Sequence, residues 1–291
     1  MKRVLISGIT GFLGSHLAKA LLSSGFLVYG IKRKSSSLKR LDTMTDQIVL
    51  FDLSDSNIEE VVTSVAPDFV IHTACDYGRS GASVSDLVKT NIVFSLSLLE
   101  ASSLHKVKAF INTDSALPND VNAYALSKYQ FSQWGKCYSD KIKFINMRIE
   151  HMYGAGDDRN KFIHWFVEQL KKQVESIPLT SGIQLRDFIY IDDIVSAYLL
   201  IINHIDRLAS YESFDVSTGK LMPVRDFLNA ILKEYISLYK TNNVKLKFGE
   251  LAFRENEMMA AHVSPKKLKS LGWNPVVTHI DGIKKIFGEN K

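Results

Sequence analysis

The chain has 291 residues, 46% hydrophobic and 23% charged, with a formal charge of +5. That length can bury a core as one large domain or as a domain with a smaller lobe, and the composition excludes a disordered or fibrous chain. Two distant cysteines, Cys75 and Cys137, exclude a disulfide framework, and the scattered histidines show no metal-ligand spacing. No apolar run is expected to span a bilayer, and the first strand begins within a few residues of Met1, so no leader is expected and the cytoplasm is the expected location. Basic residues are dispersed except at Lys32-Arg33-Lys34 and Lys39-Arg40. The charge therefore points to an anionic small ligand rather than to nucleic acid.

In chain order, Val4-Leu5-Ile6 reads as a buried strand that meets three glycines in Gly8-Ile9-Thr10-Gly11-Phe12-Leu13-Gly14. Apolar residues then recur at Leu13, Leu17, Ala20 and Leu21, one face of a helix. Such a triplet also occurs as a tight turn with no ligand. Placed between strand and helix, it has the features of a phosphate site: glycine allows close backbone approach, and the helix N-terminus favours the pyrophosphate charge. Gly25 is a helix C-cap, and Phe26 to Ile31 a second strand ending in Lys32-Arg33-Lys34. An acidic residue there suits the adenosine ribose of NAD, whereas basic residues suit the 2′-phosphate of NADP. A solvated basic loop is the other reading.

Ile48 to Phe51 is a third strand, with Asp52-Leu53 placed for the adenine edge. Asn57 to Val65 is helical, and Phe69 to Ala74 a fourth buried strand. Ser85 to Leu104 is a long helix, Ala109 to Asn112 a fifth strand, Tyr124 to Tyr138 a helix and Phe144 to Met147 a sixth strand. Short apolar strands alternating with helices predict an α/β, doubly wound parallel sheet. The alternation stops after Arg148. Lys161 to Lys172 is predicted helical, Gln184 to Ile191 a strand, and Asp192 the N-cap of a helix over Ile194 to His204. The remainder adds strands at Phe214 to Val216 and Val244 to Phe248. Helices are expected over Pro223 to Leu238, near Pro265 to Leu271, and from Thr278. The expected organisation is a dinucleotide-binding Rossmann domain over 1–150, with returning segments near 183–218. A substrate lobe would comprise 151–182 and 219–291.

Tyr124 and Lys128 lie four apart, on one face of a helix. A cation beside a phenol is expected to lower its pKa and make it a proton donor and acceptor near neutrality. Thr113, at the end of the fifth strand, can add a hydrogen bond to the same substrate oxygen. The loop Cys75-Asp76-Tyr77-Gly78-Arg79 follows the fourth strand, where parallel sheets bind ligands.

With these residues the chain resembles the extended short-chain dehydrogenase/reductase family over nearly its whole length. Gly8 to Gly14 matches the cofactor loop, Asp52-Leu53 the adenine contact, Asn112-Thr113-Asp114-Ser115 the catalytic strand end, and Tyr124 with Lys128 the catalytic pair. Arg186 to Asp193 and the tail Arg254 to Pro275 match segments of nucleotide-sugar enzymes. The resemblance implies an NADP site built from Gly8, Thr10, Gly11, Phe12, Leu13, Gly14, Lys32, Arg33, Asp52, Leu53, Thr73, Ala74 and Cys75 together with Tyr124 and Lys128. It implies catalysis by Thr113, Tyr124 and Lys128. It implies substrate contacts from Tyr77, Arg79, Asp114, Ser115, His151, Lys161, Arg186 and Arg254, with the two arginines on a nucleotide diphosphate.

A narrower resemblance, through Ile111 to Ser115, Asn146 to Gly154 and Gln184 to Phe188, is to the CDP-abequose and CDP-paratose synthases of O-antigen sugar synthesis. It implies an NADPH-dependent 4-ketoreductase of a CDP- or dTDP-linked 4-keto-6-deoxyhexose. Two long helices match those that pair relatives into homodimers, and no metal is implied. The chain departs from the wider family at Ala116-Leu117-Pro118, after the catalytic strand, and at His151, where many relatives have Asn. An epimerase or dehydratase remains the alternative within the family, and a non-catalytic dinucleotide sensor the alternative outside it.

Overall fold

The computed structural model describes residues 1–53, 57–79, 81–241 and 244–288. From the N-terminus the chain forms β1 (Arg3–Ser7), α1 (Phe12–Ser23), β2 (Leu27–Lys32), β3 (Ile48–Asp52), α2 (Ile58–Val65), β4 (Phe69–His72), α3 (Val84–Val88), α4 (Ser95–Leu104), β5 (Ala109–Ser115), α5 (Ala123–Cys137) and β6 (Lys143–Ile149). Then come β7 (His151–Tyr153), α6 (Phe162–Lys171), β8 (Ser176–Leu179), β9 (Leu185–Arg186), β10 (Phe188–Tyr190), α7 (Ile191–His204) and β11 (Tyr211–Val216). The chain closes with β12 (Met222–Pro223), α8 (Val224–Tyr239), β13 (Lys245–Phe248), α9 (Lys266–Ser270) and α10 (His279–Gly288).

Two compact units result. The first comprises Met1–Ile149, Val195–Val216 and Lys266–Trp273; the second comprises Glu150–Ile194, Ser217–Pro265 and Asn274–Lys291. The segment returning to the first unit is thus shorter than 183–218, and a second one, Lys266–Trp273, joins it. The first unit holds a seven-stranded sheet in the order β11-β6-β5-β4-β1-β2-β3, with every pair parallel. Building outward from β1 through β2 and β3, and then from β4 on the other side, leaves a reversal between β1 and β4. Open sheets of this Rossmann type bind ligands there, at the C-terminal strand ends.

Strand β4 is buried at every residue, as expected of a sheet covered on both faces. Helix α5 lies close to the sheet because Gly135 has no side chain: a Cβ there would stand 2.1 Å from the Phe144 ring. Phe144 stacks on Phe110 at 5.6 Å and on Tyr211 at 6.1 Å, binding three strands together.

Val84–Leu104 is a continuous helical run of 21 residues, long and apolar enough by length and composition to cross a bilayer, against the expectation that no such run exists. Its Leu87, Leu98, Leu99 and Ala101 are buried within the first unit, while Val84, Val88, Val93 and Leu104 are exposed. The run is not uniform, since Lys89–Phe94 is wound as a π-helix.

The second unit uses three two-stranded sheets, β7 with β10, β9 with β12 and β8 with β13. Its core is aromatic: Phe188 stacks on Phe227 at 3.8 Å, with Tyr153 edge-on at 5.1 Å from Phe227. The strand expected over Gln184 to Ile191 is instead β9 and β10, with Asp187 between them. Its carboxylate accepts from the Thr218 amide and hydroxyl and from the Gly219 and Lys220 amides. Helix α7 starts at Ile191, so Asp192 is no cap but lies in the first turn, paired with Lys285 at 2.6 Å.

Candidate active site

The glycine loop leaves β1 at Gly8, whose φ of +73° is left-handed and favours glycine. A Cβ at Gly8 would stand 2.7 Å from the Ala74 amide, and one at Gly14 would stand 2.3 Å from the Gly8 carbonyl. Those two glycines let loop, helix and β4 close on each other. At Gly11, the N-cap of α1, a Cβ would meet only the Gly8 carbonyl, at 3.1 Å, so the backbone is open on the side where a pyrophosphate would approach. No acidic residue occupies the first turn of α1, so nothing opposes an anion at that helix end. Thr73 anchors the neighbouring strand end, its hydroxyl donating to the Ser7 carbonyl at 2.8 Å. Ala74 and Cys75 follow it, half-buried. These features fit a dinucleotide.

Lys32 and Asp52 are register partners at the ends of β2 and β3 and form an ion pair at 3.0 Å, mostly buried. Leu53 donates its amide to the Lys32 carbonyl. The expected basic cluster is thus divided: Lys32 is compensated by Asp52, while Arg33 is exposed.

Tyr124 and Lys128 stand at the start of α5, a helix capped by the Asn122 side chain, which accepts from the Ala125 amide. Lys128 is buried, and the Tyr124 ring lies 4.9 Å from that of Tyr77. The Arg79 guanidinium lies over the Tyr77 ring at 5.3 Å. Burial holds the Tyr124 phenol well above the ordinary tyrosine value; Cys75 and Asp114 push the same way, while Arg79 and a hydrogen bond from Ser115 oppose them. The direction is opposite to the lowering expected from the Tyr124–Lys128 spacing, because desolvation of the phenolate dominates and the cation that lowers the value is Arg79 rather than Lys128.

The Thr113 hydroxyl is 2.7 Å from that of Tyr198 on α7, and the Ser115 hydroxyl, two residues on, acts on the Tyr124 phenol. Asp114 is buried with both oxygens engaged, accepting from the Ser115 amide and the Asn146 side chain at 2.7 Å each.

Two residues here escaped the sequence reading. Asn91, in the π-helical turn, donates to the Asp76 carbonyl at 2.8 Å and to the Ser127 hydroxyl at 2.9 Å. It also accepts from the Asp76 amide at 2.7 Å, and Ser127 in turn donates to the Tyr124 carbonyl. It ties the loop after β4 to the helix bearing Tyr124. A π turn inside a helix often marks such a place, but a π turn has no residue pattern to read. His72 is fully buried between the Ser7 hydroxyl at 2.6 Å and the Ser95 hydroxyl at 2.8 Å. Burial first, and then the Lys128 charge, hold its pKa well below the ordinary histidine value.

In the second unit, Arg186 is buried and pairs with Glu257 at 2.6 Å. Burial pulls its pKa down, and Glu257 and Glu150 oppose the shift. Lys161 caps α6 and pairs with the buried Asp157 at 3.1 Å. His151 stands edge-on to Phe188 at 5.5 Å. Arg254 is exposed, in the turn three residues before Glu257.

The glycine loop, the parallel sheet and the tyrosine–lysine helix define an oxidoreductase-type enzyme with a Rossmann fold. The profile of the NAD-dependent epimerase/dehydratase family matches residues 4–217, and the chain belongs to that family. It is 32% identical to the CDP-abequose synthase of Salmonella typhimurium, over 98% of this chain and 97% of that one. Among solved structures, the UDP-glucose 4-epimerase of Thermus thermophilus in complex with NAD superposes with a TM-score of 0.82 at 22% identity, over 98% of this chain and 97% of that one. The UDP-glucuronic acid 4-epimerase of Bacillus cereus, with UDP-glucuronic acid and NAD, gives 0.83 at 20%, over 98% of both chains. The chain thus shares its family and fold with enzymes named for nucleotide sugars.

Proposed function

We propose that the protein is an NADPH-dependent reductase of a nucleotide-linked 4-keto-6-deoxyhexose, making a deoxysugar for surface polysaccharide in the cytoplasm. The observation that carries this reading is the Tyr124 phenol, held neutral by burial, with Ser115 rather than a glutamate after Asp114. Reducing a ketone consumes a proton, and a phenol held neutral is a donor. Epimerases and dehydratases first oxidise their sugar, which calls for a base at the same place. Dehydratases of the family also carry Asp-Glu directly after the catalytic hydroxyl, and Asp114 cannot substitute because both its oxygens are engaged.

The glycine loop and the first turn of α1 would hold the pyrophosphate, Asp52 and Leu53 the adenine edge, Arg33 the 2′-phosphate and Lys128 the nicotinamide ribose. NADPH, when bound, supplies the hydride. Tyr124 gives its phenolic proton to the carbonyl oxygen, which Ser115 orients by a hydrogen bond. Arg186 and Lys161 would bind the nucleotide diphosphate, with a cytidine nucleotide favoured by the 32% relative and a thymidine nucleotide next. Leu126, Tyr129 and Trp134 on α5 and Val88 and Val93 on the preceding helical run are exposed, which supports pairing of two copies through that face.

The test is a panel of CDP-, dTDP- and UDP-linked 4-keto-6-deoxyhexoses followed by NADPH absorbance and product analysis. One NADPH should disappear per sugar converted. Isomerised product without net NADPH consumption identifies an epimerase, and no turnover on any sugar identifies a dinucleotide sensor.

A further inference from the structure

Glu150 is the first residue after β6, whose last residue, Ile149, pairs in register with Ser115. Its side chain is only 3% exposed. Its Oε1 has no hydrogen-bond partner among the described residues. A buried carboxylate oxygen without a donor is costly, and native proteins keep few of them. Two basic groups bear on it, Arg186 and His151. Arg186 donates to Glu257 at 2.6 Å and to the Leu185 carbonyl at 2.9 Å, not to Glu150 Oε1. His151 Nδ1 lies 3.6 Å from Glu150 Oε1, just beyond hydrogen-bond reach. The imidazole keeps 42% of its side-chain surface exposed, while the backbone of His151 is fixed by pairing with Phe188 in β10. A hydrogen bond from Nδ1–H to the carboxylate would fix the tautomer and leave Nε2 as an acceptor.

We propose that Glu150 is a positioning residue that holds His151 with Nε2 accepting a hydroxyl of the hexose of a nucleotide sugar, so that the pair reads the sugar and not the nucleotide. This rests on the reading that the protein takes nucleotide sugars. The hexose end is assigned because the chain enters Glu150 directly from the strand position beside Ser115. Arg186, in contrast, is the residue that the proposed function gives to the diphosphate.

The test is calorimetric titration with CDP, dTDP and UDP and with the glucose conjugate of each, on the wild type, Glu150→Gln, His151→Ala and the double variant. The wild type should bind a glucose conjugate more tightly than its nucleoside diphosphate. Each single variant should lose about tenfold for the conjugate, the scale of one hydrogen bond, and nothing for the diphosphate. The double variant should lose no more than either alone, because the two act as a unit. In turnover, KM for the 4-keto sugar should rise while KM for NADPH stays fixed. Unchanged conjugate binding in Glu150→Gln overturns the proposal. So does equal loss for conjugate and diphosphate, which would mean that Glu150 acts through Arg186, and so do additive losses. If Glu150→Gln does not fold, His151→Ala at the exposed ring makes the same comparison. A wild type that binds none of the six ligands overturns the nucleotide-sugar reading itself, a result distinct from the others.

Discussion

The Thr113 hydroxyl lies 2.7 Å from that of Tyr198. Burial raises the Tyr198 phenol far above its ordinary value, so this pair is a neutral, structural hydrogen bond between sheet and α7. Ser115 is the strand-end hydroxyl that acts on the Tyr124 phenol. Ser115→Ala should therefore reduce kcat by roughly 10²-fold, as for loss of one donor to a developing oxyanion. Thr113→Val should change kcat less than threefold (about 0.6 kcal/mol) and lower stability by roughly 1–3 kcal/mol, because the Tyr198 hydroxyl loses its partner. Steady-state kinetics and urea unfolding of the two variants check this; a larger kcat loss in Thr113→Val reverses the assignment.

Tyr124→Phe should abolish most turnover, by roughly 10²–10⁴-fold, while fluorescence titration finds NADPH affinity nearly unchanged. The variant keeps the ring that packs 4.9 Å from Tyr77 and loses only the proton. Retention of most of the rate would place the proton donor elsewhere.

Cofactor preference should follow Arg33 more than Lys32, since Lys32 is already paired with Asp52 at 3.0 Å. Arg33→Ala should cost NADPH binding about tenfold and leave NADH binding unaffected, the scale of one charge-assisted contact to a phosphate. Lys32→Ala should weaken both cofactors alike, because it removes the Lys32–Asp52 ion pair beside the adenine site. Equal wild-type affinity for NADH and NADPH would remove the NADPH assignment.

Stability should fall as pH drops below about 6.5, the ordinary histidine value, and His72 is the cause. Its folded pKa is lowered, so below 6.5 the unfolded chain binds a proton that the folded one excludes. The slope approaches about 1.4 kcal/mol per pH unit until the folded value is reached. Asp157, Asp187 and Asp193 act in the opposite sense. Burial raises their folded pKa values, so the folded chain gains protons first as pH falls through that range. Urea midpoints of the wild type and His72→Gln from pH 5 to 8 cancel the carboxylates. The variant should be less stable throughout and should lack the histidine slope; parallel curves would exonerate His72.

The first unit was largely legible because its signals are long or chemically distinctive. Apolar runs such as Phe69 to His72 admit few readings, and the glycine triplet lies where strand period gives way to helix period. Side-chain destinations were less legible. Thr113 and Ser115 are two apart on one strand and share a face, so alternation cannot choose between their hydroxyls; the end of β5 relative to α5 decides. His72 hides within an apolar strand, and its polarity is satisfied by Ser7 and Ser95, 65 and 23 residues away. In the second unit, strands of two or three residues such as β9 and β12 are too short to show any period. Asp187 looks like part of a continuous strand until its four donors are seen to arrive from Thr218 to Lys220.

The first unit is closed late by its own chain. Edge strand β11 ends at Val216, and Trp273, which donates from its indole to the Ser196 hydroxyl at 2.9 Å, lies 18 residues from the C-terminus. During synthesis, residues 1–149 must therefore leave the ribosome with an unpaired β6 edge and wait for the 67 further residues up to Val216 before the sheet is completed. At roughly 5–20 residues per second that interval is about 3–13 seconds. Over that time the exposed edge of β6 is open to pairing with other nascent chains, which makes this enzyme a natural client for chaperones that shield strand edges.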